Sequence, residues 1–84
     1  MSAAVKAVTA EYFAVFREQA GTDRETVETA AETPAALYQE LAARHGFAEH
    51  AERCKVAVND TLSDWHSPLA EGDRVLFFPP VAGG

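Results

Sequence analysis

From Val8 to Phe13 the side chains alternate, with Val8, Ala10 and Tyr12 on one side and Thr9, Glu11 and Phe13 on the other. That period of two predicts a half-buried strand. Residues 1–7 ahead of it read as a frayed leader of small residues. Val15 to Ala20 loses the alternation and runs into Gly21, which predicts a single helical turn closed by a left-handed glycine. Alternation returns from Arg24 to Thr29, where Thr26, Val27 and Thr29 are β-branched, and predicts a second strand paired with the first.

Thr33-Pro34 is a helix start: the threonine hydroxyl accepts an orphan N–H, and proline at the first helical position gives up nothing. Leu37, Leu41 and His45 then recur every four residues, with Tyr38 and Ala42 beside them and Gln39, Glu40 and Arg44 on the wet side, until Gly46 ends the helix. Residues 47–53 form a short return. Lys55 to Val58 is a third strand, followed by Asn59-Asp60, which tolerate left-handed turn geometry. Residues 63–68 read as a loop, 71–73 as a turn, and Arg74 to Phe78 as the last strand, stopped by Pro79-Pro80. Strand, strand, helix, strand, strand leaves one main helix to cover one face of a small mixed sheet. An α+β roll of the β-grasp, ubiquitin-like kind is the economical packing; by analogy with that fold, the first and last strands are central and parallel. The organisation is a leader at 1–7, a domain at 8–78 and an extended tail at 79–84.

Parity on the last strand puts Val75 and Phe77 under the helix, and Arg74, Leu76 and Phe78 opposite. Phe13 shares that opposite face, and Leu62 follows a turn beside it. Two arrangements satisfy this pattern. Either Phe13, Phe78 and Leu62 form an exposed apolar patch for a partner, or the segments 46–53 and 63–68 cover them as a second core.

Charge and composition narrow the function. Seven basic residues against thirteen acidic ones give a formal net charge of −6. That argues against nucleic acid and anionic membrane as partners and fits a partner with a basic surface. At 48% hydrophobic the chain is no acidic tail. No apolar run approaches the ~20 residues of a membrane span. A lone cysteine and the absence of a signal-peptide pattern point to the cytoplasm. The chain has no glycine-rich phosphate cradle. His45, His50 and His66 lack zinc-site spacing, and Cys54 has no second cysteine, so no metal is expected. Asp64-Trp65-His66 are adjacent loop residues that do not face one another as a catalytic pair; Trp65 is expected to pin the loop to the core.

What carries chemistry is the end of the chain. Pro79 and Pro80 hold the backbone extended, and the residues after Phe78 reach about 20 Å at ~3.3 Å each. Val81-Ala82-Gly83-Gly84 then closes on two glycines that fit a narrow channel. Gly84 is expected to present a free main-chain carboxylate, which a partner can adenylate and a sulfur nucleophile can convert to a thiocarboxylate by displacing AMP.

Through four segments, the tail among them, the chain resembles the small, sulfur-carrying subunits of molybdopterin synthase, a family related to the thiamin-biosynthesis sulfur carrier. The segments are Phe16-Arg17-Glu18 through Gly21-Thr22-Asp23; Val58-Asn59-Asp60-Thr61-Leu62; Pro68-Leu69 with Glu71-Gly72-Asp73; and Phe77-Phe78-Pro79-Pro80-Val81-Ala82-Gly83-Gly84. The resemblance implies a β-grasp fold with no bound cofactor, and ATP consumed by an adenylating activating enzyme at Gly84. It further implies a sulfur donor protein, and a large synthase subunit that receives the tail within a heterotetramer and forms the dithiolene. Arg17 matches a family arginine expected to meet a partner carboxylate. The long leader, the alanine-rich helix and Cys54 depart from the pattern. Sulfur delivery to thiamin, cysteine or tRNA, conjugation as a ubiquitin-like tag, or a passive interaction domain that does not need Gly83-Gly84 are the competing readings.

Overall fold

The computed structural model describes residues 5–80. Its elements in chain order are β1 (Lys6–Tyr12), α1 (Val15–Ala20), β2 (Arg24–Thr29), α2 (Pro34–His45), a 3-10 turn (Ala51–Arg53), β3 (Lys55–Val58), β4 (Thr61–Ser63) and β5 (Arg74–Phe78). Among the described residues five strands form one sheet in the order β2-β1-β5-β3-β4, with β1 and β5 parallel at its centre and every other pair antiparallel. This is the β-grasp roll, with α2 across one face.

The local signals act as read. Thr33 Oγ1 accepts from the Ala36 N–H at 3.2 Å, with Pro34 in the first helical position. Gly46 closes α2 at φ 75° and its N–H donates to the Ala42 carbonyl. Asn59 and Asp60 both take positive φ and turn β3 directly into β4, a left-handed pair suited to the twist of a tight hairpin.

Two boundaries differ from the sequence reading. The first strand begins at Lys6, inside the segment read as leader, and ends at Tyr12. Lys6 and Ala7 pair with Thr29 and Glu28. Ala7 also accepts from the Gly72 N–H and donates to Glu71 Oε1, so a distant turn fixes what its own composition does not. The second difference is β4, which extends to Ser63, where the sequence pattern predicts a loop. Three residues cannot display a period of two, and Leu62, its one apolar residue, points outward.

The core lies between α2 and the inward sheet face. Val8, Ala10, Tyr12, Val27, Val56, Val75 and Phe77 from the strands meet Leu37, Tyr38 and Leu41 from α2 and Phe16 from α1. Phe47 packs against Tyr12, Phe16 and Tyr38. Trp65 packs against Tyr38 and Phe77, and its indole N–H donates to the Cys54 carbonyl at 3.3 Å. The Trp65 loop is tied to the start of α2 by Ala35 N–H to the Trp65 carbonyl and Leu69 N–H to the Glu32 carbonyl. Both segments that were candidates to cover the second face therefore close the helix side instead. The opposite face stays open.

Candidate functional site

On the open face the strand register sets neighbours side by side. Leu62 pairs with Ala57, Ala57 with Leu76, and Leu76 with Glu11, making one row across four strands. Two residues along, Phe78 pairs with Lys55 and continues sideways to Phe13, whose ring centroid lies 5.8 Å from that of Phe78. Phe13 is 55% exposed and Leu62 70%, whereas Phe78 and Leu76 are half-buried. Ala57, nearly covered by its neighbours, floors the gap between Leu76 and Leu62. The result is a diagonal apolar band from Phe13 to Leu62, exposed at both ends and partly buried between them. Sequence reasoning named its two ends and Phe78 but not Ala57, which becomes visible as a link only through the pairing of β3 with both neighbours.

The tail leaves from this band. Pro79 and Pro80 follow Phe78 and are half-buried; Val81, Ala82, Gly83 and Gly84 lie outside the described residues. Arg17 projects from α1 with its Nε 3.9 Å from Asp23 Oδ1, both side chains exposed, an ion pair of little energetic weight. It follows the turn that carries Phe13 and remains accessible to a partner carboxylate.

Phe13 owes its position to an unusual backbone. Ala14 adopts φ 55°, ψ −122°, and the Phe16 N–H closes the turn onto the Phe13 carbonyl at 3.2 Å. The first central residue of such a turn is glycine's place. An L-residue there stores about 1–3 kcal/mol and persists only where its surroundings over-determine it. Here the flanking Tyr12 and Phe16 are both buried in the core.

Ionisable groups elsewhere make structure rather than chemistry. Glu25 Oε2 accepts from Tyr12 Oη at 2.5 Å and lies 2.5 Å from His45 Nε2; since a carboxylate only accepts, that ring nitrogen carries the proton. Burial alone would push the Glu25 carboxyl up, but the hydrogen bonds from Tyr12 and His45, with the charges of His45 and Arg44, hold it below the usual carboxylate range. Burial and the same carboxylate hold the Tyr12 phenol far above its ordinary value. The Cys54 thiol is buried, donates to the His50 carbonyl at 3.3 Å and is pushed up by burial and by Glu49, which makes it a poor nucleophile. Among the described residues no three of His, Cys, Asp and Glu gather as a metal set. Two open depressions of about 350 Å3 each share Glu52, Trp65 and His66, and neither is lined by Phe13, Phe78 or Leu62.

Comparison with known proteins points the same way as the geometry. The sequence model described as the ThiS family matches residues 10–84. The molybdopterin synthase sulfur carrier subunit of Escherichia coli (strain K12) is 43% identical over 76 residues, covering 87% of this chain and 94% of that protein. The crystal structure of SAMP1 from Haloferax volcanii superposes with a TM-score of 0.75 at 25% identity, covering 93% of this chain and 99% of the other. A chain in the complex of subunits 1 and 2 of molybdopterin-converting factor from Helicobacter pylori 26695 superposes with a TM-score of 0.63 at 28% identity, again covering 93% and 99%.

Proposed function

The chain belongs to the ThiS family, and from that footing we propose that it is the sulfur carrier subunit of a molybdopterin synthase. The observation that carries the proposal is the apolar band at the root of the tail: β5 delivers Phe78 beside Phe13 on the open face, and Pro79-Pro80 and the Gly-Gly end follow directly. The sulfur carrier identity of the Escherichia coli relative, matched over most of both chains, supports it.

In this reading the open face docks the carrier and the tail does the chemistry. An activating enzyme binds the face, and the Gly84 carboxylate attacks the α-phosphorus of ATP, releasing pyrophosphate and leaving an acyl adenylate. Hydrosulfide supplied by a donor protein attacks the acyl carbon, AMP departs, and Gly84 carries a thiocarboxylate. The tail then enters the large synthase subunit, where the thiocarboxylate sulfur bonds to a precursor carbon and displaces the oxygen there; water hydrolyses the resulting thioester, leaving the sulfur in the dithiolene and a carboxylate on Gly84 for the next cycle. The pairing of subunits 1 and 2 in the Helicobacter pylori complex supports such a partner. The chain brings no catalytic residue beyond its own terminus, needs no bound cofactor, and works in the cytoplasm. Among its described residues no helix is long and apolar enough to cross a membrane.

The test is reconstitution of the full chain with activating enzyme, ATP and sulfide, read by intact mass. Exchange of one terminal oxygen for sulfur is the expected result, followed by molybdopterin formation when the large subunit and precursor are added. Appending one residue after Gly84 should abolish the exchange and leave the melting temperature unchanged. Conjugates of the chain with lysines of other proteins, without thiocarboxylate, would replace this reading with that of a protein modifier.

A further inference from the structure

We infer that Ala14 is a positioning residue for the docking face, a role that rests on the carrier reading above. Three observations carry it. The first is that Ala14 sits in glycine's place, at φ 55° and ψ −122°, in the turn between Phe13 and Phe16. The second is where the chain does use glycine. Gly21, Gly46 and Gly72 occupy ordinary left-handed positions where an added Cβ would meet nothing within 4 Å. Glycine is thus used where the strain of a side chain is milder, and a methyl group is kept where it is greater. The third is location. The turn lies between the two buried anchors Tyr12 and Phe16 and holds Phe13, the more exposed of the two aromatic rings beside the tail.

A Cβ at this position excludes most of the φ/ψ space that glycine would open. With both flanks fixed in the core, that restriction falls on the Phe13–Ala14–Val15 segment. Phe13 is held against Phe78, and Arg17 leaves in one direction. The partner then meets a face already ordered and loses little conformational freedom on binding. Local strain retained beside a binding surface has this function: it raises the free energy of the isolated protein slightly and narrows its ensemble.

The experiment compares Ala14→Gly, Ala14→Ser and Phe78→Ala in the full chain. It measures melting temperature, 15N order parameters of residues 13–17, and affinity for the large synthase subunit. Ala14→Gly should melt at or above wild type, because relief of strain offsets the extra freedom of its unfolded chain. Its order parameters should fall and its affinity drop about two- to fivefold. Ala14→Ser keeps the Cβ and should behave as wild type. Unchanged order parameters or unchanged affinity in Ala14→Gly overturns the inference. So does a loss of affinity that merely accompanies a lower melting temperature, since that is a structural defect alone. Phe78→Ala separates the two levels. If it too leaves affinity intact, the docking face itself is misassigned; if it weakens binding while Ala14→Gly does not, only the positioning role fails.

Discussion

Phe77 and Phe78 are the same amino acid, one residue apart on the central strand, and live in opposite environments. Phe77 is fully buried, with its ring among those of Tyr12, Tyr38 and Trp65. Phe78 faces the open side, where its aromatic neighbour is the exposed Phe13. The same division runs through the sheet. Inward residues are enclosed by α2, Phe47 and the Trp65 loop, while outward residues alternate between a diagonal apolar band and charges such as Lys55, Glu11 and Arg74. In a domain this small one covered face already accounts for the core, so apolar side chains on the other face need a separate explanation. In the proposed function a partner supplies it.

The strongest way to break this comparison is to truncate each phenylalanine in turn. Phe77→Ala should cost about 3–5 kcal/mol, a large share of the stability of a small domain, visible as collapse of the denaturation midpoint. Phe78→Ala should cost folding far less, yet lower affinity for the large subunit by about 2 kcal/mol, roughly thirtyfold. Equal losses of stability at the two positions would show that the open face is ordinary core and would end the distinction.

Leu62 sharpens where the band ends. Being largely exposed, its truncation to alanine should change folding by no more than about 0.5 kcal/mol. If the band is continuous through Ala57, titration calorimetry should show affinity for the large subunit falling by about 1 kcal/mol, some fivefold. Unaltered affinity would confine the docking surface to Phe13 and Phe78.

Much of the division is legible in the amino-acid sequence. Strand parity alone separated Phe77 from Phe78, because the period of two admits one answer once a helix covers one side. Thr33-Pro34, Gly46 and Asn59-Asp60 marked boundaries through chemistry that acts within a few residues. What was hidden depends on distant pairing or on conformation. The membership of Lys6 and Ala7 in β1 comes from Thr29, Glu28 and a turn more than sixty positions away. Strand β4 is too short to show a pattern, and the conformation of Ala14 has no sequence signal because alanine is not a turn residue. The open face could not be told from a two-sided core until Phe47 and Trp65 were seen on the helix side. The same limit applies to Tyr12, Glu25 and His45, which three different elements bring to one carboxylate oxygen.

That carboxylate gives the smallest expected effect, and one restricted to the covered side. The hydrogen bonds from Tyr12 and His45 overcome the effect of burial and hold the Glu25 carboxyl below its ordinary value. A group whose folded pKa is depressed binds protons more readily in the unfolded chain. Its contribution is therefore present above the unfolded value of about 4.3 and is lost as the pH falls through the folded value. Wild type should be more stable than Glu25→Gln at pH 6, and the advantage should shrink steadily as the pH falls below the ordinary carboxylate range. Urea denaturation of both proteins across that range measures the difference. Affinity at pH 6 for the large subunit should be nearly the same in the two proteins, since Glu25 lies on the helix side of β2. A pH-independent gap would show that the Tyr12–Glu25–His45 contact has no electrostatic content. Weaker partner binding by Glu25→Gln at equal stability would mean that the two faces are coupled through β1, where Tyr12 and Phe13 are consecutive.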